Sequence, residues 1–413
     1  MNATVPERGA ELVAAGHHLG VGPQWLARLW SGGWHKVLDR IDAGLASGSL
    51  EARLPDGTTR LLGGRADGFA AEVTITNWRA LLRLATGGSI GWYEAWEAGE
   101  WHSPDPVPLF ALFVVNSETL GDTARAKGPW RWLARQLHRF NRNNRANALR
   151  NIHAHYDLGN DFYAAWLDPA MVYSSARFEG GATGLTEAQQ HKLDTVAERV
   201  AGATTALEIG CGWGSQAARL AAQGSAVTAV SLSDAQLEWA RSRQPGAIDF
   251  RRQDYRDVTG QFDAIVSVEM VEAVGQEYWP HFFDCISRCL RPGGRAAIQY
   301  ISLRDDLFDA YAASADFIQA YVFPGGMLVS QSAFRRLAAE RGLEWTDQAD
   351  FGLDYAETLR LWRLSFDRAV DHGRLPAGFD SRFVRLWRFY LMYCEGGFRG
   401  GGIDVHQVTL IKR

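Results

Sequence analysis

Between residues 205 and 300 the chain repeats one pattern: a short run of apolar residues, a polar or glycine-rich break, then a longer amphipathic stretch. The apolar runs at 206–209, 226–230, 262–268 and 295–300 are nearly continuous rather than alternating, as expected for parallel strands buried on both faces, and the shorter, alternating Ile248-Asp249-Phe250-Arg251 reads as a further strand between them. Amphipathic stretches between them predict crossover helices, so the region reads as an α/β doubly wound sheet. Pro292-Gly293-Gly294 reads as the turn into the fifth strand. The N-terminal third has a different texture, with residues 50–62 and 70–75 predicting a small antiparallel hairpin around Pro55-Asp56-Gly57.

The breaks after these strands carry the unusual residues. Glu208 closes the first run, and Gly210, Gly212 and Gly214 follow at every second position, with a helix expected from about Ser215. Glycines there permit a tight turn and close approach of a nucleotide-type ligand to bare backbone. A carboxylate at position 208 faces a cation more naturally than a pyrophosphate. After the second strand, Ser231, Leu232, Ser233 and Gln236 stand where a ribose is read in such folds, without the usual acidic residue. Asp254 and Tyr255 follow the third strand, where a carboxylate and a ring suit an adenine; Glu269, Met270 and Glu272 follow the fourth.

Charge and cysteine content narrow the classes. A net charge of −4 over 413 residues gives no argument for nucleic acid. Cys211, Cys285, Cys289 and Cys394 show no ligand-like pairing with histidines, so no metal is expected, and Cys285 and Cys289 read as core residues of one helix in a reduced, cytoplasmic setting. Residues 1–10 mix charges of both signs and do not read as a signal peptide, and 107–115 is too short to span a bilayer. The 16 tryptophans are numerous outside the sheet; Trp92 and Trp96 have helix spacing, which fits packing. Between Asp122 and Asp157 there is no acidic residue, and Arg131, Arg135, Arg139 and Arg142 interleave with Trp130, Leu133, Leu137 and Phe140. That pattern fits either a helix on an anionic membrane surface or a solvated linker helix. The resulting division is an N-terminal domain 1–122, a basic linker helix 123–150 and a catalytic domain 151–413.

Several motifs occur in one order: His155-Tyr156-Asp157-Leu158-Gly159-Asn160, Leu167-Asp168-Pro169, Tyr173-Ser174-Ser175-Ala176, Glu208-Ile209-Gly210-Cys211-Gly212-Trp213-Gly214, Gln253-Asp254-Tyr255, the run 268–275, Phe323-Pro324-Gly325-Gly326 and Tyr355. Over residues 150–400 the chain resembles the cyclopropane-fatty-acyl-phospholipid synthases and related lipid methyltransferases. The resemblance implies a Rossmann-like class I methyltransferase with a helical cap, preceded by a smaller mixed N-terminal domain. It also implies S-adenosylmethionine as cofactor, held by Tyr173, Ser174, Glu208, Gly210, Gly212, Gly214, Ser231, Leu232, Gln236, Asp254 and Tyr255. Gln189, Gln190 and Lys192 read as exposed, although the family places a cofactor-covering helix there.

The implied reaction transfers a methylene from S-adenosylmethionine to the cis double bond of unsaturated phospholipid acyl chains, through a carbocation that loses a proton of the new methyl as the cyclopropane ring closes. The resemblance assigns proton removal to a bound bicarbonate, with Glu272, Ile301 and Tyr355 matching its ligands; Ser175 stands where the family has cysteine and Gln299 where it has histidine. Glutamine keeps a donor for an anion but gives up the cationic state, which opens a methylene- or methyl-branching outcome beside ring closure. Tyr156, Tyr173, Tyr300, Tyr355 and Phe323 are the rings available to face a cation. Glu269 reads as the partner of an arginine. An ordinary small-molecule methyltransferase on the same fold is the alternative. The expected partners are the acyl chains, an anionic membrane surface on the cytoplasmic side, from the basic segment, and a second copy in a homodimer, with the N-terminal domain open to a role in either dimerisation or lid closure.

Overall fold

The computed structural model describes residues 8–14, 31–121, 158–179, 184–244, 248–313 and 316–413. The basic segment 123–150, with Arg135 and Arg139, and the histidines His153 and His155 lie outside the described residues, as does Tyr156. The described residues fall into two units, one drawn from 1–141, 309–324 and 378–402, the other from 142–308, 325–377 and 403–413.

In the first unit, β1 (Ser49–Arg53) and β2 (Thr59–Gly63) form the expected antiparallel hairpin. Asp56 Oδ1 accepts from Thr58 N at 3.0 Å, and Gly57 adopts φ +86°. β3 (Ala70–Ile75) departs from the expectation by pairing parallel to β1. The connection after β2 carries the chain across the end of β1, with Gly64 N bonded to Gly48 O and Ser49 N to Phe69 O. β4 (Trp101–His102) completes the order β2-β1-β3-β4. Trp92 and Trp96 share the helix Arg79–Glu97, and Trp92 stacks on Trp101 at 4.3 Å. Two segments expected in the catalytic domain, 309–324 and 378–402, belong to this unit. The reason is aromatic packing: Phe389 of helix Ser381–Arg399 meets Tyr93, Trp96 and Phe110, and Phe317 meets Tyr93 and Tyr321.

The second unit is the doubly wound sheet. Its strands are β5 (Thr205–Ile209), β6 (Ala226–Ser231), β7 (Ile248–Arg252), β8 (Phe262–Val268), β9 (Leu290–Leu303), β10 (Val329–Ser330), β11 (Leu343–Asp350) and β12 (Ile403–Lys412). The order is β11-β12-β9-β8-β5-β6-β7, with β10 beside β9. β5 to β9 run parallel, while β12 is antiparallel to both β9 and β11. The Pro-Gly-Gly turn is looped out of the ladder, whose register passes from Phe262 opposite Leu290 to Ala264 opposite Arg295. One face buries Ala206, Val227, Val266 and Ala297 against Val196, Ala217, Leu220 and Leu237 of three helices. Each such aliphatic side chain contributes roughly 1.5–3 kcal/mol on full burial, Ala less. Cys285 and Cys289 are buried on helix Trp279–Cys289 as expected. Among the described residues no helix is long and apolar enough to cross a membrane.

Candidate active site

Side chains alternate across a strand, so Glu208 and Gln299 project to the same face as Ala206 and Ala297 two positions earlier. That face is covered by helix Leu185–Glu198, which delivers Gln189 and Lys192. Both side chains are fully buried, contrary to the exposed reading from sequence. Lys192 Nζ donates to Ser174 Oγ at 2.7 Å, and Gln189 Nε2 donates to Ser174 O at 2.9 Å. Burial lowers the Lys192 pKa to about 8, against the opposing pull of Glu269, Asp168 and Glu208. A helix with polar residues at core-facing positions marks a wall that faces a polar site.

Glu208 is buried at the end of β5, and its Oε2 has no hydrogen-bond partner. Desolvation raises its pKa to about 8, and Lys192 pulls the other way. An unpaired buried carboxylate oxygen is costly unless a ligand cation meets it. The three loop glycines divide by role. A Cβ on Gly210 meets Met270 Cγ at 2.9 Å, and one on Gly214 meets Phe250 Cζ at 2.9 Å and Ala240 Cβ at 3.0 Å. A Cβ on Gly212 meets nothing within 4 Å, so this glycine is the one that borders open space. Its φ of +50° also favours glycine.

Around this loop the other cofactor candidates sort into groups. Ser231 Oγ donates to Gln236 Oε1 at 3.3 Å and accepts from Ser233 N at 3.2 Å, forming one polar cluster after β6 beside half-buried Leu232. Asp254 is engaged by its neighbour, with Oδ1 accepting from Arg256 N and Nε at 2.9 Å and Oδ2 from Nη2 at 2.5 Å. The Tyr255 hydroxyl is buried without a hydrogen-bond partner. Tyr173 lies in an aromatic wall with Tyr163, Trp166 and Trp362 at 5.2–5.8 Å between centroids. Tyr300 is elsewhere: alternation on β9 turns it to the opposite face, stacked on Phe334 at 3.8 Å. Phe323 belongs to the first unit, beside Tyr390.

Three of the five residues named for the anion converge, but on a side chain. Ser175 N donates to Glu269 Oε1 at 2.9 Å, Gln299 Nε2 donates to the same oxygen at 2.8 Å, and Tyr355 Oη donates to Glu269 Oε2 at 2.7 Å. Among the described residues Glu269 therefore has no arginine partner; three neutral donors hold it. Its φ of +49° is in the left-handed region, uncommon for a residue with a Cβ. Burial raises its pKa while the three hydrogen bonds and Lys192 oppose that rise. Glu272 accepts from Ile301 N through Oε1, and its Oε2 has no partner. Burial, reinforced by Glu269, lifts the Glu272 pKa to about 8, so it carries a proton at neutral pH. A bicarbonate seated on Ser175, Gln299 and Tyr355 needs the donors that Glu269 already uses, so these residues do not fit that group. The expectation of a bicarbonate site is corrected accordingly.

Residues 143–408 match the family model described as mycolic acid cyclopropane synthetase. The chain belongs to this family. The tuberculostearic acid methyltransferase UfaA1 of Mycobacterium tuberculosis is 39% identical over 378 residues, which is 86% of each chain. The cyclopropane-fatty-acyl-phospholipid synthase of Escherichia coli is 32% identical over 355 residues, 83% of this chain and 88% of the relative. Among solved structures, the mycolic acid cyclopropane synthase CmaA1 complexed with SAH and CTAB aligns with a TM-score of 0.60 at 28% identity, over 64% of this chain and 98% of that one. This member of the mycolic acid cyclopropane synthetase family is thus a class I, S-adenosylmethionine-dependent lipid methyltransferase. The orphaned Glu208 oxygen and the open side of Gly212 fit a cationic nucleoside cofactor, which Ser174, Lys192 and the Ser231–Gln236 cluster would help to hold.

Two residues that the sequence reading named, Lys192 as exposed and Glu269 as an arginine partner, have a different place in the geometry. Lys192 was legible only as a polar position on an otherwise apolar helix face. Glu269 carried a fainter signal: a glutamate directly after a buried parallel strand, at the edge where ligands bind.

Proposed function

We propose that the protein methylates the double bond of unsaturated lipid acyl chains and leaves an alkene in the product, giving a methylene- or methyl-branched chain. The observation that carries this reading is the resident Glu269 carboxylate on the donors that the synthase resemblance assigns to an exchangeable anion. The higher identity to a relative named as a methyltransferase than to one named as a cyclopropane synthase points the same way. When bound, the cofactor supplies an electrophilic methyl group. The chain's own residues then have three tasks. Glu208 and the open side of Gly212 orient the cofactor, and Tyr173, Trp166 and Trp362 exclude water and face a developing cation with their rings. The Glu269 region receives the proton. Phospholipid is the expected carrier of the acyl chain, and contact with an anionic membrane rests on the basic sequence between Asp122 and Asp157.

Ring closure is the second reading, favoured by Glu272, Ile301 and Tyr355 standing at synthase-like positions. Incubation with S-adenosylmethionine and monounsaturated phospholipid vesicles, followed by mass spectrometry of the acyl chains, tests the proposal. A gain of one CH2 with an ozone-labile double bond is expected. Unmodified lipid, with cofactor binding intact, contradicts it and favours a small-molecule substrate.

A further inference from the structure

Counting lone pairs defines what Glu269 can do. An ionised carboxylate offers about four acceptor sites. Oε1 uses two, for Ser175 N and Gln299 Nε2, and Oε2 uses one, for Tyr355 Oη. The remaining site on Oε2 is free for a proton. None of the three donors is a cation, so the carboxylate is fixed in place without an ion pair that suppresses its basicity. Among the described residues two titratable groups act on it through space: Lys192, which favours the carboxylate, and Glu272, whose own ionisation Glu269 opposes. The left-handed backbone state at position 269 is strained for a residue with a Cβ, a conformation that persists where surrounding contacts over-determine it.

The Gln299 amide is itself oriented from behind. Arg177 Nη1 donates to Gln407 Oε1 at 3.1 Å, and Gln407 Nε2 donates to Gln299 Oε1 at 3.0 Å. That leaves the Gln299 NH2 facing Glu269, so the histidine-to-glutamine departure presents a fixed neutral donor to a carboxylate.

We propose that Glu269 is the built-in proton acceptor of the reaction, in the place the synthase resemblance gives to bicarbonate. The inference rests on the acyl-chain reading above. The double-bond π pair forms a C–C bond to the transferred methyl carbon as the methyl–sulfur bond breaks and its electron pair stays on sulfur. The neighbouring chain carbon is left cationic. Loss of a C–H proton from a chain carbon next to the cation to Glu269 Oε2 leaves a methyl-branched alkene. A methylene branch first needs a hydride to move from the methyl-bearing carbon to the cationic one, after which a methyl proton passes to Glu269 Oε2. Without that shift, loss of a methyl proton forms the third bond of the ring. Glu269 returns that proton to solvent after product release.

Two variants and one titration test it. Glu269→Gln keeps the size and loses the base, so kcat for lipid methylation is expected to fall about 10²–10⁴-fold while S-adenosylhomocysteine affinity stays within about twofold. Glu269→Gly removes the carboxylate and suits the positive φ. Its activity is expected to recover about tenfold or more on adding bicarbonate or formate, as an exogenous base restores the missing step. Wild-type activity stays unchanged by bicarbonate depletion, and 13C-bicarbonate titration by NMR shows binding to Glu269→Gly only. Bicarbonate-dependent wild-type activity, bicarbonate binding to the wild type, or a Glu269→Gln variant of wild-type rate overturns the proposal. If the wild type modifies no lipid, the acyl-chain reading fails, and the titration still decides whether Glu269 fills the anion site.

Discussion

Gln407 Nε2 donates to Gln299 Oε1 at 3.0 Å, and that contact sets which end of the Gln299 amide faces Glu269. Gln407 touches neither reacting group by this account; it is a positioning residue. Replacing it with Leu frees the Gln299 amide to flip and costs Glu269 one of its three donors. The expected result is a kcat lowered by about tenfold, roughly 1.4 kcal/mol. The acid limb of the pH–rate profile moves to higher pH, because a carboxylate with fewer donors holds its proton more tightly. An unshifted profile contradicts the role.

Gly212 and Gly214 are expected to fail differently. Gly212→Val fills the open side of the loop and should weaken S-adenosylhomocysteine binding by about 100-fold or more, measured by calorimetry, with the protein still folded. Gly214→Ala drives a Cβ onto Phe250 and Ala240 at a φ of +88°. It should therefore lower stability by about 1–3 kcal/mol, read from denaturant melts. Equal cofactor losses in both would argue against a ligand at Gly212.

Glu272 gives a pH signature in stability. Its folded pKa, about 8, lies above the ordinary carboxyl value of 4.5. Its contribution is therefore fully present below pH 4.5 and is lost as pH rises through 8. Glu272→Gln keeps a neutral side chain at every pH. The variant should match the wild type near pH 4.5 and exceed it by about 2 kcal/mol or more at pH 9, as paired thermal melts report. A difference that does not grow with pH contradicts the buried, protonated assignment.

Lys192→Met removes the cation nearest Glu208 and the donor to Ser174 Oγ. Glu208 then holds its proton more firmly at neutral pH, and a neutral carboxyl meets a cationic ligand less well. Cofactor affinity is expected to drop about tenfold at pH 7.5. Retained affinity places the ligand's cationic end away from this pair.

The parallel sheet was legible because strands buried on both faces leave nearly continuous apolar runs, and 262–268 coincides with β8. The cofactor loop was legible from Glu208 and its glycines. Three things were not. β3 pairs parallel to β1 because a short connection crosses the strand end, and strand composition carries no information about direction. Residues 309–324 and 378–402 join the first unit through ring contacts distant in sequence, such as Phe389 with Tyr93. Finally, the residues around the anion position were identified, but not the occupant. Glu269 meets Ser175, Gln299 and Tyr355 from a left-handed backbone conformation, which residue type does not announce.

The most direct test uses S-adenosylmethionine with a trideuterated methyl group and monounsaturated phospholipid, followed by mass spectrometry before and after ozonolysis. The expected product has one added carbon and is still cleaved by ozone, carrying three deuteriums if a chain proton is lost and two if a hydride shift to the cationic carbon precedes loss of a methyl proton. A product with two deuteriums that resists ozone is a cyclopropane and contradicts the branched-chain reading.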